Sequence, residues 1–590
     1  MSFFDDASLA FLPSGAAGKD GKAYSIKPTD GTGDFTFSRG SNLAATRVGA
    51  DGLIEKGREN LLLQSNQFDT TWNTSNAGVT SGQSGYDGSS DAWKLESTTT
   101  GESYSDQTFT QSSGVQTLSF YAKQGNASKI RLVVVGGGNP RAHFDLSDGT
   151  IHYKPLTIDA QIEAIGATGW YRCSVIFNAA ITQARIQIVS ANDGTNNNSA
   201  IGDYIYIQDA QLEIGLAATD YIESGATTGK AGLLEDEPRF DYSGGATCPS
   251  LLLEPSRTQY ILYTEYLDPS TNWAGFPSAD PVTHTQNYAI APDGTKTASL
   301  LGNFTSGGFN VVTNSNYRAT TGVTQNPLDD TYTMSVWLKT TSGTGTITLL
   351  NRGLSSGTNT PQSLQCNVTN EWQRFDVSNT YTAAEGAASL GFIIIKATSD
   401  TLEEVLVWGA QTEAGTYPTS YIPNHSGGTI TRGADLATKT GVSDLIGQTE
   451  GTLYWEGYID VSKSSYGYFP RLITIGDGTS ANFGGLLLTQ SNQLVTRFVI
   501  SYSNQANISS NITTSGNYKI AFAYAQNDFA LYVNGVSVGT DTSGNVIGLD
   551  DVYLGYELGD GTAPTSHPTK QALLFKTRLS NADLETLTTL

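Results

Sequence analysis

The chain has 590 residues, a formal net charge of −23 and only 15% charged residues, a length that allows about three to five domains. Its 33 lysines and arginines are scattered singly, whereas a nucleic-acid interface needs clustered cations. Composition and charge therefore exclude nucleic acid and anionic membrane surfaces as expected partners. The 64 glycines, dispersed among short apolar runs, are typical of strands joined by many turns.

The beginning of the chain is glycine-rich and irregular, and we interpret residues 1–57 as an N-terminal anchoring region or leader. Phe35–Gly40 is predicted to contain a strand, and Asp51-Gly52 a turn before Leu53–Glu55. The acidic start, Phe3–Asp6, lacks the basic residues of a signal peptide, and no apolar run is long enough to span a membrane. We therefore expect neither a membrane segment nor export by the usual secretory route.

Two long stretches of the chain repeat each other. Asp209–Gly215 leads to Tyr221, and Gly409–Gly415 leads to Tyr421, both at an offset of 200 residues. A repeat of this length is far longer than the units of solenoid proteins, so it indicates a duplicated whole domain.

Inside both copies the pattern is that of β-structure. Ala184–Val189 and Tyr204–Gln208 alternate with period two, which indicates strands with one buried and one exposed face. Many short strands separated by Asp-Gly turns predict an antiparallel sandwich in each copy. We assign module 1 to residues 58–228, a strand-turn linker to 229–256, and module 2 to 257–428.

The last part of the chain, residues 429–590, is predicted to be a third sandwich. Asn534-Gly535 lies between two alternating runs, and this pair marks a type I′ hairpin because both turn residues need positive φ. Ser580–Asp583 has the pattern of a helix start, with Leu584 on the apolar side of the short helix that follows.

The sequence shows no catalytic or metal motif. The three cysteines (Cys173, Cys248 and Cys366) are far apart, and the five histidines are dispersed. Gly535–Gly539 fits the serine-nucleophile pattern G-x-S-x-G, but its serine lies in a hairpin strand rather than on a strand-to-helix turn. We therefore expect no enzyme, no disulfide framework and no required cofactor.

Aromatic rings are natural contacts for sugars, because a ring face can stack on the apolar face of a pyranose. Four tryptophans are candidate carbohydrate-binding residues: Trp72, Trp93, Trp273 and Trp455. The alternative is that each belongs to a sandwich core, with its N–H satisfied by a buried acceptor.

Several segments resemble known families. Tyr518–Gly535 resembles the concanavalin A-like (laminin G-like) lectin fold, and Lys576–Leu584 resembles the end of that domain in tailed-phage virion proteins. The two modules resemble the jelly-roll carbohydrate-binding modules of phage fibres. The residues that carry this second resemblance are two Trp-x-Arg strands and one final strand, namely Trp170 with Arg172, Trp372 with Arg374, and Tyr204–Glu213.

The resemblance implies an all-β protein of tandem antiparallel jelly-roll sandwiches behind an irregular anchoring region. It implies a structural virion protein, a tail fibre or a head fibre or spike, that is assembled in the host cytoplasm and adheres to host-surface glycans. Other virion proteins would bind the N-terminal region, and the chain would form a homo-oligomer, as a trimer.

In the jelly-roll family an aspartate of the last strand can help to hold a structural Ca²⁺. Asp209 takes that place in module 1, whereas module 2 has Gly409. The resemblance thus implies one possible calcium site, confined to module 1.

Two alternatives remain open. The chain could be a polysaccharide depolymerase or glycan hydrolase of the virion, since any sandwich could carry two carboxylates at glycosidase separation. It could also be a purely architectural decoration of the capsid or tail, without a ligand.

Overall fold

The computed structural model describes residues 3–14, 18–19, 21–40, 43–190, 197–267, 273–276, 282–304, 311–314, 330–353, 361–381, 390–463, 470–489, 491–555 and 566–590. Strands dominate this part of the chain, so the all-β prediction is confirmed. Among the described residues no helix is both long and apolar enough to cross a membrane.

The described part of the first sixty residues contains one helical turn and seven short strands: α1 (Phe3–Asp6), β1 (Leu9–Phe11), β2 (Gly18–Lys19), β3 (Lys22–Ala23), β4 (Phe35–Ser38), β5 (Thr46–Val48), β6 (Ile54–Lys56) and β7 (Arg58–Asn60). Module 1 follows with longer strands: β8 (Asn73–Ser75), β9 (Ala77–Gln83), β10 (Ala92–Ser97), β11 (Ser103–Ser112), β12 (Val115–Gln124), β13 (Lys129–Val135), β14 (Arg141–Asp145), β15 (Thr150–Tyr153), β16 (Asp159–Ala164), β17 (Trp170–Asn178), β18 (Ile181–Ile188) and β19 (Tyr204–Ile214).

The linker and module 2 contain these strands: β20 (Gly229–Ala231), β21 (Arg239–Asp241), β22 (Ser250–Leu252), β23 (Arg257–Gln259), β24 (Trp273–Phe276), β25 (Thr283–Ala289), β26 (Ala298–Gly302), β27 (Val311–Asn314), β28 (Asp330–Lys339), β29 (Gly345–Gly353), β30 (Gln362–Val368), β31 (Gln373–Tyr381), β32 (Leu390–Ile395) and β33 (Val405–Ala414).

The C-terminal part contains a 3-10 turn at Ser443–Leu445 and the following elements: β34 (Ile430–Arg432), β35 (Leu436–Lys439), β36 (Glu450–Ile459), β37 (Arg471–Gly476), β38 (Phe483–Leu488), β39 (Gln493–Ile500), β40 (Ser503–Asn511), β41 (Gly516–Ala525), β42 (Asp528–Val533), β43 (Val536–Asp541), β44 (Asp551–Leu554), β45 (Thr569–Phe575) and α2 (Asn581–Thr588).

Both modules are two-sheet sandwiches with matching strand order. In module 1 the sheet β16-β17-β12-β19-β10-β9 faces β15-β14-β13-β18-β11-β8, and the apolar core lies between them. In module 2 the sheets are β25-β26-β33-β28-β31 and β24-β27-β32-β29-β30. The sheet that contains β12 and β19 corresponds to the sheet that contains β28 and β33, as the repeat predicts.

The structure corrects the expected separation of the leader and the linker. In the third sandwich, β1 pairs with β45 and β4 pairs with β35, while β22 of the linker also pairs with β45. Phe35 and Phe37 alternate inward and lie in the same core as Trp455. Parts of residues 1–57 and 229–256 therefore complete the C-terminal sandwich, because their apolar faces have no other core to fill.

Five charged side chains are buried where the leader, the linker and the C-terminal sandwich meet, and we call them the ionic hub. Three are arginines and two are carboxylates, and none is more than 4% exposed: Arg39, Arg239, Arg432, Glu254 and Asp435. Ser420, at the end of module 2, donates its hydroxyl to Glu254 at 2.6 Å. The hub thus connects four parts of the chain.

Arg239 lies at the centre of the ionic hub. Its Nη1 is 2.7 Å from Oε2 of Glu254, and its Nη2 donates to Asp435. Arg39 reaches Asp435 at 3.2 Å, and Arg432 reaches Glu254 at 2.8 Å. Burial raises the pKa of Glu254, but the two guanidinium groups lower it more, so the net pKa lies well below the ordinary value. The carboxylate is therefore charged in the folded chain.

We predict that Arg239→Met lowers the free energy of unfolding by about 3–5 kcal/mol, because Glu254 and Asp435 would each lose a buried partner. The matched control is Arg47→Met, since Arg47 pairs with the half-exposed Glu55 and should lose only about 0–1 kcal/mol. Chemical denaturation followed by tryptophan fluorescence measures both losses. Equal losses for the two variants would contradict the role given to the hub.

Candidate functional site

The tryptophans predicted in module 1 belong to its core. Trp72 and Trp93 are each 6% exposed and pack against Phe68. Their indole N–H groups donate to the backbone carbonyls of Gln64 and Asn66, both at 3.0 Å. Neither ring offers a face to a sugar, so the predicted stacking role is corrected for these two residues.

Of the other two predicted tryptophans, the structure describes the side chain of Trp455. Trp455 is fully buried and donates to the hydroxyl of Thr569 at 2.9 Å, so its predicted sugar contact is corrected as well. Trp273 begins β24, and its side chain lies outside the described part of the chain. The core alternative weighed for these residues is the one that the structure shows for Trp72, Trp93 and Trp455.

Asp209 lies in β19 beside a shift in register with β12, and its φ is +51°. Its carboxylate accepts a hydrogen bond from the hydroxyl of Tyr86 at 2.8 Å. Burial raises its pKa to about 7, assisted by the charges of Asp91 and Asp87 and opposed by the Tyr86 hydrogen bond. The module-2 counterpart, Gly409, has the same left-handed backbone with a φ of +64°.

The calcium ligands available around Asp209 can be compared with the needs of the ion. Ca²⁺ takes six to eight oxygen ligands, with carboxylates prominent among them. In the described part of the chain, three side chains come close enough to share an ion at Asp145, Asp148 and His152, a group that does not include Asp209. The role of Asp209 in holding a Ca²⁺ ion stays a prediction.

We predict that Asp209→Asn stabilises the protein at pH 8 and has no effect at pH 4. The folded pKa of about 7 lies above the ordinary 3.8, so the native state loses stability as the pH rises between these values. Asparagine removes the charge and tolerates positive φ. The gain is at most about 4 kcal/mol, at 1.36 kcal/mol per pKa unit. Thermal unfolding at both pH values measures it, and an equal change at both would contradict the assignment.

A group of tyrosines covers the outer side of the β12–β19 sheet of module 1, and we call it the tyrosine face: Tyr86, Tyr121, Tyr204 and Tyr206. Tyr204 and Tyr206 are half-buried and alternate with the fully buried Ile205 and Ile207. Tyr86, also half-buried, stacks on Tyr121 with ring centroids 3.9 Å apart. The rings are fixed by the sheet and by one another. Tyr86, Tyr204 and Tyr206 remain partly open to solvent, whereas Tyr121 is buried at 8% exposure.

Charged groups border these rings. The ammonium of Lys94 lies 4.4 Å from the ring centroid of Tyr204 and 2.9 Å from a carboxylate oxygen of Glu96. The guanidinium of Arg172 lies 5.3 Å from the ring centroid of Tyr121. Aromatic surface beside a few fixed polar groups is the usual composition of a site for a small organic ligand.

Module 2 does not repeat the tyrosine face. Lys94 pairs with Tyr206 in module 1, and at the same place in module 2 Leu300 pairs with Leu406. At the offset of 200 residues, Glu404 of module 2 corresponds to Tyr204 of module 1. The fold is therefore duplicated, whereas Tyr204 and Tyr206 are not. At the place of Tyr121, module 2 keeps an aromatic ring, the half-buried Trp337, with the guanidinium of Arg374 4.4 Å from its centroid.

In module 2 the leader covers the corresponding loop. The N–H of Ile54 donates to the carbonyl of Pro292 at 3.0 Å, and the Ile54 side chain joins an apolar cluster with Trp408 and Tyr421. Two residues after Ile54, the side chain of Lys56 places its ammonium group between two carboxylates of module 2.

The ammonium of Lys56 is 2.9 Å from Asp293 and 3.3 Å from Glu265. Burial lowers the pKa of Lys56, but these two carboxylates raise it more, and the net pKa lies well above the ordinary value. A buried cation therefore fastens the leader to module 2.

The alternation of Tyr204–Gln208 predicts a strand, but it does not by itself single out its tyrosines as a site. The period-two pattern places both tyrosines on the outer face, and their replacement by Glu404 and Leu406 in the repeat was the available signal.

The sequence matches no protein-family model and no curated protein sequence. The CBM40 domain of the Ruminococcus gnavus IT-sialidase, solved with α2,3-sialyllactose, is 17% identical over 24% of this chain and 84% of that one, with a TM-score of 0.21. A NanB sialidase variant from Streptococcus pneumoniae is 14% identical over 25% of each chain, with a TM-score of 0.22. A heptameric pentraxin of Limulus polyphemus is 14% identical over 24% of this chain and 69% of that one, with a TM-score of 0.19. At these values the likeness does not indicate a ligand.

Proposed function

We propose that this chain is a structural virion protein of a tailed phage that binds host-surface glycan through the tyrosine face of module 1. The observation that carries the proposal is the pair of half-buried tyrosines on β19, Tyr204 and Tyr206, which module 2 replaces by Glu404 and Leu406. A ring kept partly exposed on a folded sheet can stack on a pyranose, as a core ring cannot.

The surrounding charges fit the recognition of hydroxyl groups. Lys94 and Glu96 offer a donor and an acceptor beside Tyr204 and Tyr206. Such a site binds a single sugar weakly, and several copies of the chain on one particle would raise the overall affinity without new contacts. We therefore propose that the chain binds the glycan and does not cleave it.

The virion context rests on the resemblance of Lys576–Leu584 to the end of the lectin-like domain in tailed-phage virion proteins, and of the two modules to the jelly rolls of phage fibres. Because β1 and β4 are built into the C-terminal sandwich, attachment to other virion proteins would use an outer surface of that sandwich rather than a free N-terminal arm. Assembly in the host cytoplasm and a trimeric state belong to the same proposal.

We predict that Tyr206→Ala weakens glycan binding at least about tenfold, which corresponds to about 1.4 kcal/mol, because it removes an exposed stacking surface. The control is Tyr288→Ala in module 2, whose ring is 49% exposed and should not affect binding. The labelled full chain is tested on a glycan array and on extracted bacterial surface polysaccharide, with thermal unfolding as a check on folding.

Three outcomes would contradict the proposal. If Tyr206→Ala bound the glycan as tightly as the control Tyr288→Ala, the tyrosine face would not be the binding site. Release of reducing ends from the polysaccharide would indicate a depolymerase instead. Absence of binding by the unaltered chain would favour a purely architectural role.

A further inference from the structure

Three carboxylates lie together at one end of the tyrosine face. Asp87 and Asp91 are exposed, while Asp209 is buried beneath them and bonded to Tyr86. Gln208 links the group by donating to Asp91 at 2.8 Å. Among the ion pairs of the described residues, none involves any of these three carboxylates.

The loop of module 1 that contains Asp87 has a counterpart in module 2 that binds an ammonium group. Asp87 accepts from the N–H of Ser89 at 3.0 Å, and Asp293 accepts from the N–H of Thr295 at 3.0 Å, so the two loops are built alike. In module 2 the carboxylate of Asp293 binds the ammonium of Lys56 at 2.9 Å. The same position thus already binds a primary amine in one copy of the fold.

Module 1 differs in ways that make its loop more acidic and more open to a ligand. Gly409 corresponds to Asp209 at an offset of 200, Thr297 to Asp91 at the offset of 206 that also relates Asp293 to Asp87, and Glu265 to Asn66 at an offset of 199. The count of carboxylates rises from two to three. Burial next to Asp91 and Asp87 raises the pKa of Asp209 to about 7, the result expected of a carboxyl that lacks a cation.

We propose that the carboxylates of module 1 bind the ammonium group of an amino sugar whose ring lies on the tyrosine face. This inference rests on the proposed function and names its ligand class, a glycan with unacetylated amino groups. The sugar ring contacts Tyr86 and Tyr206, and its amine takes the place that Lys56 fills in module 2. Acetylation of the amine removes the charge and two N–H donors, so it weakens binding.

The test compares a glucosamine tetramer with its fully N-acetylated counterpart, measured by titration calorimetry with the full chain at neutral pH and physiological ionic strength. We expect the unacetylated tetramer to bind at least about tenfold more tightly. The double variant Asp87→Asn, Asp91→Asn should remove this preference. The control is Asp148→Asn, an exposed aspartate in the β14–β15 turn of the opposite sheet, which should leave the preference unchanged.

Equal binding of the two tetramers overturns the amine assignment and leaves the proposed glycan binding standing. Binding of neither tetramer also overturns it, and the glycan array then decides the proposed function separately. Tight binding of a synthetic peptide with the sequence of residues 51–57, without binding of either tetramer, would replace the amino sugar by a lysine-bearing protein partner. Thermal unfolding of the double variant confirms that a lost preference does not reflect a lost fold.

Discussion

The architecture depends on the ionic hub. Charges taken out of water are stable only when each one is paired and hydrogen-bonded, and Arg239 satisfies this condition by binding both Glu254 and Asp435. These partners come from the linker and from the start of the C-terminal sandwich, while Arg39 brings in the leader. The hub therefore specifies which distant segments meet, because a chain folded without one of them would leave an isolated charge in the interior.

The two modules show how a duplicated fold separates scaffold from surface. In module 1 the carboxylate of Glu213 accepts three hydrogen bonds, from the side-chain amide of Gln211 and from the backbone N–H and hydroxyl of Thr219. The same three hydrogen bonds recur 200 residues later among Gln411, Glu413 and Thr419. Positions that close the turn after the last strand have been kept in both copies. Positions on the outer face have diverged, one copy receiving the leader and the other exposing tyrosines. A repeat within one chain thus provides its own comparison between structural and ligand-facing residues.

Local features were predictable from the sequence, and distant pairings were not. The Asn534-Gly535 hairpin is confirmed, with φ values of +49° and +78°, as is the helix capped by Ser580. Each of these two sequence signals lies within a few consecutive residues. The pairing of Leu9 with Leu574 joins the ends of the chain, and alternation in a three-residue strand cannot specify so distant a partner. Residue type alone does not distinguish a core ring from an exposed one, so the sequence could not show that Trp72, Trp93 and Trp455 are buried.

The pairing of β1 and β4 with the C-terminal sandwich has a consequence for how the protein is made. A ribosome releases the N-terminal strands first, yet their partners β45 and β35 are synthesised hundreds of residues later. The apolar residues of the leader therefore stay exposed while modules 1 and 2 fold, since domains fold as they emerge from the ribosome. The C-terminal sandwich is consequently the last part to be completed. Modules 1 and 2 lie in the sequence between its N-terminal strands, β1 and β4, and its C-terminal strands. A fragment that starts after module 2 would lack core strands, so the C-terminal sandwich is not an independent unit that can be cut from the rest.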